Sequence, residues 1–211
     1  ITRSRLVIDP ADLVLRPDLQ SFQLMDFHRA AEAIDIGYRH VAENEARLDT
    51  ARLLAPWYDG KVSKEGSFGF ASINVNKQSI TVDPNSPEGR EVLLELVQWA
   101  DVVTESFSPR AMTKWGLDYE SLRKAKPDLI MIALSGYGAT GPESEYVSYG
   151  PAQVPLSGMS SLTGYADWPP MHVGISYGDP NGGLHGAVAV LAALLHRAAT
   201  GEGQYIDLSQ Q

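Results

Sequence analysis

The chain has 211 residues, a formal net charge of −9, 44% hydrophobic residues and 20% charged residues. That is globular composition rather than disorder, and the length fits one large domain or two small ones. The absence of cysteine excludes disulfides, thiolate catalysis and cysteine metal sites. The acidic balance argues against a general nucleic-acid binder, although a local basic pocket can still hold a phosphate.

No apolar run approaches about 18 uncharged residues, so the sequence predicts no membrane span. The N-terminus carries no signal-peptide pattern, and the default compartment is the cytoplasm. The chain opens on Ile1-Thr2-Arg3-Ser4 and closes just after a strand-like run. Both ends read as cuts, as expected of an excerpt.

Residues 1–67 read as a poorly placed, helical N-terminal segment. Leu6-Val7-Ile8 and Leu13-Val14-Leu15 are short apolar runs near prolines. Residues 26–54 hold few breakers and many alanines and glutamates, which predicts a helix ended by Pro56. No chemistry is evident there.

From residue 68 to 211 the pattern is α/β. Ile80-Thr81-Val82 is β-branched and predicts a strand. Ser86 then offers an N-cap with Pro87 at the first helical position. Val92, Leu93, Leu96 and Val97 mark that helix's apolar face. Asp101-Val102-Val103-Thr104 predicts a second strand, and Asp118 caps a short helix containing Leu122. Leu129 to Leu134 is a continuous apolar run, which predicts a strand covered on both faces.

Strand, helix, strand, helix, strand is the order of an open, parallel, Rossmann-like sheet. Ligands in such sheets bind beyond the carboxyl ends of the strands. Those ends are Asp83, residues 104–109 and Ser135-Gly136-Tyr137-Gly138.

Residues 135–183 carry ten glycines and six prolines. A loop region that long is functional or disordered. Its tyrosines and Trp168 argue for an ordered, aromatic-lined surface. Leu184 to Arg197 then reads as a helix, apolar nearly all round and therefore buried. After a turn at 200–204, Tyr205 to Leu208 predicts a last strand.

Asp179 is the carboxylate singled out for chemistry. It lies in Tyr177-Gly178-Asp179-Pro180-Asn181-Gly182-Gly183, just before the long helix. Glycines let backbone approach a ligand, and a helix start favours an anion. An ionised, partly desolvated Asp can attack an activated acyl carbon and form a mixed anhydride. The bland alternative is a helix N-cap without chemistry.

Lys77 offers a cation for a phosphate, or a merely solvated charge. Arg110 and Lys114 follow the second strand and are better placed for anions. Ser135 is outside any Gly-x-Ser-x-Gly elbow, so a hydrolase serine is not predicted. His185 and His196 lie on one helix roughly 16 Å apart and cannot share a metal. No metal site is expected. His185 either lines a pocket near Asp179 or simply packs.

Taken in order, these motifs resemble the family III CoA-transferases, which include formyl-CoA transferase and acyl-CoA racemases. Asn74-Val75-Asn76-Lys77-Gln78-Ser79-Ile80 is similar to the family's Asn-x-Asn-Lys-Arg-Ser-Ile stretch. Ser86-Pro87-Glu88-Gly89-Arg90 matches its helix start. Ala100 to Pro109 is similar to its Ala-Asp-Val-Val-x-Glu-Asn-Phe-x-Pro. Gly116-Leu117-Asp118-Tyr119, Ser135-Gly136-Tyr137-Gly138, Leu156-Ser157-Gly158, Leu162-Thr163-Gly164 and the Thr200-Gly201-x-Gly203-Gln204 turn follow in sequence.

The resemblance implies that Asp179 is the nucleophile and that acyl-CoA and a small carboxylic acid are the substrates. It implies that Asn76, Lys77, Ser106, Phe107, Lys114, Ser135 and Gly136 meet coenzyme A. It also implies an interlocked homodimer. Two departures stand out: Ser106 replaces the usual asparagine, and Tyr149 stands where a racemase needs histidine. A phenol with a pKa near 10 is a poor base at neutral pH, which favours transfer over racemisation. Racemase or CoA-dependent lyase activity and a non-catalytic acyl-CoA-binding module are the alternatives.

Overall fold

A computed structural model describes residues 5–7, 55–63, 66–80, 82–146 and 148–211. Contacts group the chain into two compact units, Ile1–Leu93 and Leu94–Gln211. The helix expected over 26–54 and the run Leu13-Val14-Leu15 lie outside the described residues.

In the first unit, β1 (Arg5–Val7) pairs in parallel with β2 (Lys77–Ser79). The strand expected at Ile80-Thr81-Val82 therefore lies earlier, ending at Ser79. β-branching marks a run suited to a sheet, but pairing decides which residues enter the ladder. This strand also joins β1 rather than the later strands, so the described strands form two sheets and not one. Ahead of it, α1 (Phe68–Ile73) starts at Ser67, whose hydroxyl accepts the Phe70 N–H at 3.0 Å. Asn76 has φ 60°, a left-handed conformation that asparagine tolerates.

The predicted cap at Ser86 is present. Its hydroxyl accepts the Gly89 N–H at 3.0 Å, and Pro87 opens α2 (Pro87–Trp99). Leu93 and Val97 on its apolar face are buried.

The second unit is built on a parallel sheet of order β3-β4-β5, comprising β3 (Val102–Glu105), β4 (Ile130–Ser135) and β5 (Gln204–Ser209). Register places Glu105 beside Ala133 and Ala133 beside Asp207. β4 is the central strand, and Ile130, Met131, Ile132 and Ala133 are all buried, as a continuous apolar run predicts. Between β3 and β4 lie α3 (Pro109–Trp115) and α4 (Tyr119–Ala125). Asp118 caps α4 by accepting the Ser121 N–H at 3.1 Å. The sequence reading had not predicted α3, although Pro109 at its start and left-handed Gly116 at its end are the usual punctuation.

Within the loop region stand α5 (Gly150–Leu156) and a short 3-10 turn, Met159–Leu162. The last helix, α6 (Gly178–Thr200), begins six residues before the predicted start. Its 23 residues make it long and apolar enough, by length and composition alone, to cross a membrane. Here it packs on β4 and β5. A Cβ on Gly186 would sit 3.1 Å from both Ile132 Cδ1 and Leu134 Cδ2, so the glycine permits close helix–sheet contact.

The expectation that this helix is buried on all sides is corrected. Gly178, Gly182, Gly186 and Ala193 are buried, whereas Leu184 is 70% and Leu195 74% exposed, with Val188 and Leu191 between them also exposed. Small residues seat the helix, and no described segment covers the larger apolar ones.

Candidate active site

The carboxyl ends of β3, β4 and β5 open onto a cavity of about 230 Å³. Asp179, Ser106, Phe107, Ser135 and Gly136 all line it, together with Ser148, Tyr149 and Gln210. Residues far apart in sequence meet because three parallel strands end at one edge and α6 begins there.

Asp179 is the second residue of α6, not its cap. The cap position is Tyr177, and the Asp179 carboxylate takes no hydrogen bond among the described residues. The N-cap alternative is thereby removed. A group committed to capping would accept a first-turn N–H; this one is open to solvent along the cavity wall. Its pKa direction also differs from the expected stabilisation as an anion. Desolvation raises the Asp179 carboxyl above the ordinary aspartate value.

Close backbone approach shapes this corner. A Cβ on Gly150, the first residue of α5, would lie 2.5 Å from Asp179 Oδ2 and 2.7 Å from Ser176 Cβ. Glycine alone leaves room for the carboxylate there. Gly136, Gly178 and Gly182 are similarly crowded, by Ser148, Gln153 and Gln210 respectively.

Two carboxylates at the strand ends hold the cavity loops. Glu105 Oε2 accepts the Phe107 N–H at 2.7 Å. Asp207 accepts the Ala139 N–H at 2.7 Å and the Thr140 hydroxyl at 3.1 Å. Burial raises the Glu105 carboxyl; the Phe107 hydrogen bond opposes that shift and the nearby Asp207 charge adds to it. An adjoining cavity of about 350 Å³ contains Glu105, Tyr119 and Tyr205, and shares Phe107 and Ser135 with the first. The Tyr119 and Tyr205 rings stack with centroids 5.4 Å apart.

The other predicted residues lie elsewhere. Lys114 is in the last turn of α3 and does not line the cavity. Lys77 Nζ donates to Asn74 Oδ1 at 3.0 Å within the first unit, next to left-handed Asn76. Arg110 is engaged by Glu145 at 2.6 Å. His185 is exposed and is not among the cavity-lining residues, with its Nδ1 2.9 Å from the Asn181 carbonyl. No cluster of three metal-ligating side chains occurs among the described residues.

The sequence reading did not single out Ser148, Gln153 or Gln210. A lone amide within the apolar run Ala152-Gln153-Val154-Pro155-Leu156 was the available signal for Gln153. For the other two, only the spatial proximity of the glycines identifies them.

Comparison with known proteins identifies the family. The chain is 40% identical over 140 residues to a succinate–glutarate CoA-transferase of Agrobacterium fabrum, covering 66% of this chain and 35% of that protein. It is 40% identical over 133 residues to a succinyl-CoA–D-citramalate CoA-transferase of Chloroflexus aurantiacus, covering 63% and 33%. The chain thus spans about a third of the length of these curated relatives. The crystal structure of a CAIB/BAIF family protein from Brucella suis superposes with a TM-score of 0.70 at 38% identity, covering 77% of this chain and 43% of that one. Residues 41–211 match the model for CoA-transferase family III. By fold, motif order and sequence, the chain belongs to CoA-transferase family III.

Proposed function

We propose that the enzyme containing this chain transfers coenzyme A between an acyl-CoA donor and a carboxylic acid, with Asp179 as nucleophile. The observation that carries the reading is an uncapped, solvent-accessible Asp179 carboxylate in one cavity with Ser106, Phe107, Ser135 and Gly136.

In the first step an Asp179 oxygen attacks the thioester carbon. The C–S bond breaks, CoA leaves as thiolate, and an aspartyl–acyl anhydride forms. The acceptor carboxylate then attacks the aspartyl carbonyl and displaces the donor acid as its carboxylate. CoA thiolate attacks the acceptor acyl carbon, giving the new thioester and restoring the Asp179 carboxylate. Charge balances at each step, and no water is consumed. A partly desolvated carboxylate suits the first step, because it holds fewer waters to shed before attack.

Lys114, Asn76 and Lys77 are proposed to meet CoA on the strength of family likeness. The acceptor belongs to the small carboxylic acids, the class named for the two relatives.

The test is chemical trapping. Protein mixed with acyl-CoA and quenched with hydroxylamine is expected to carry a hydroxamate at Asp179, read by peptide mass spectrometry. In Asp179→Ala, turnover is expected to fall at least about a thousandfold while CoA binding persists. Solvent deuterium at the α-carbon of recovered acyl-CoA with no trapped adduct would point to racemisation instead. CoA binding with neither signal would point to a binding module.

A further inference from the structure

Gln153 is 1% exposed, the one polar residue of the second unit that is buried as a whole among the described residues. Both protons of its amide nitrogen are used. Nε2 donates to Ser148 Oγ at 3.1 Å and to Gln210 Oε1 at 2.8 Å. Both acceptors line the cavity that holds Asp179.

Its carbonyl oxygen is buried with no hydrogen-bond partner among the described residues. That oxygen lies against Gly178, where any Cβ would overlap it. Gly178 is the first residue of α6, and Asp179 is the second.

A buried amide left half-satisfied destabilises a fold, and an apolar residue of the same shape would avoid that cost. Each such group in a native structure calls for an explanation, a part in the site's chemistry among them. Here three walls of the cavity converge on this amide: the segment leading into α5 through Ser148, the end of β5 through Gln210, and the start of α6 through Gly178.

We infer that Gln153 is a positioning residue, whose amide fixes Ser148, Gln210 and the first turn of α6 so that Asp179 is aimed into the cavity. The inference rests on Asp179 being the nucleophile. Misaiming a reacting group by about 1 Å can cost a hundredfold in rate without changing substrate binding.

The experiment compares Gln153→Leu, Gln210→Ala, the double variant and Asp179→Asn in the intact enzyme. Leucine keeps the volume and removes the donors. In Gln153→Leu, kcat is expected to fall about 10- to 100-fold, with KM for acyl-CoA within about threefold and the melting temperature preserved. The rate of hydroxylamine-trapped adduct formation should fall in parallel.

The double variant should be no slower than Gln153→Leu, because Gln210 is already released. Additive losses, or an unchanged kcat in folded Gln153→Leu, would overturn the proposal. If Gln153→Leu does not fold, Gln210→Ala and Ser148→Ala each free one arm of the amide. A loss of kcat at constant KM in these two would support the proposal, and wild-type kcat in both would overturn it. Turnover retained in Asp179→Asn would sink the nucleophile assignment and this inference together. Turnover lost there but retained in Gln153→Leu would sink this inference alone.

Discussion

The two edges of the three-stranded sheet differ in how their polar groups are satisfied. At the amino edge, Arg197 from the last turn of α6 donates to the Asp101 carbonyl at 3.0 Å and the Asp101 carboxylate at 3.1 Å. It also donates to the Asp128 carbonyl at 3.3 Å. One guanidinium ties the starts of β3 and β4 to the helix. At the carboxyl edge, Ser135 Oγ and Gln153 Oε1 are buried without partners among the described residues, two carboxyls are raised by desolvation, and glycines stand where side chains would clash. At the first edge the guanidinium is spent on hydrogen bonds, as a structural clamp requires. The second keeps polar groups uncommitted in a cleft, the arrangement expected where a ligand is handled.

The difference can be broken experimentally. The largest effect among substitutions beside the nucleophile is expected at Gly150. Gly150→Ala places a methyl group against Asp179 and Ser176, and turnover should fall about a hundredfold. Steady-state kinetics with an intact melting transition would check it. An unaffected kcat would show that the carboxylate can move aside freely.

Arg197→Ala attacks the other edge. It leaves two carbonyls and one carboxylate without that donor, and should cost roughly 1–3 kcal/mol of stability. Melting temperature should fall by several degrees. KM should not change, because no part of the clamp reaches the cavity.

Glu105 tests the polar cost of the carboxyl edge directly. Its carboxyl is raised from 4.5, so the folded state binds its proton more tightly than the unfolded chain. Its contribution to stability is therefore full below about pH 4.5 and is lost as pH rises through the raised value. Gln at this position keeps an acceptor for Phe107 but cannot ionise. The melting temperature of Glu105→Gln relative to wild type should thus climb with pH over that window. A flat difference would contradict the desolvation account.

The smallest effect is expected at Arg110, whose ion pair with Glu145 is exposed on both sides. Arg110→Ala should change stability by no more than about 0.5 kcal/mol. A larger loss by denaturant titration would mean the pair braces the loop beside the cavity.

Much of the second unit was legible in the sequence. Asp118 announced α4, Ser86-Pro87 announced α2, and the run from Leu129 announced β4, because caps and apolar periodicity act over a few residues. The errors have the opposite origin. The strand near residue 80 was misplaced because its partner, β1, is some 70 residues away in sequence. The last helix was started too late because Gly182 and Gly183 are poor helix formers. Packing outweighs that propensity: Gly178, Gly182 and Gly186 are buried, and Gly186 lets the helix lie close on β4. Asp179 could be singled out from its glycine-flanked setting, but not the absence of a cap on it.

Taken alone, the amino-acid order determined the parallel α/β plan of the second unit, the family likeness and the identity of the carboxylate worth testing. These rest on local signals and on motifs read in order. Tertiary structure alone decided that Gly150 makes room for Asp179, that Gln153 joins Ser148 to Gln210, and that Ser106 and Ser135 share a cavity with Asp179, Ser148 and Gln210. Such contacts link segments tens of residues apart, and no propensity of a single residue encodes which backbone will come close enough to forbid a Cβ.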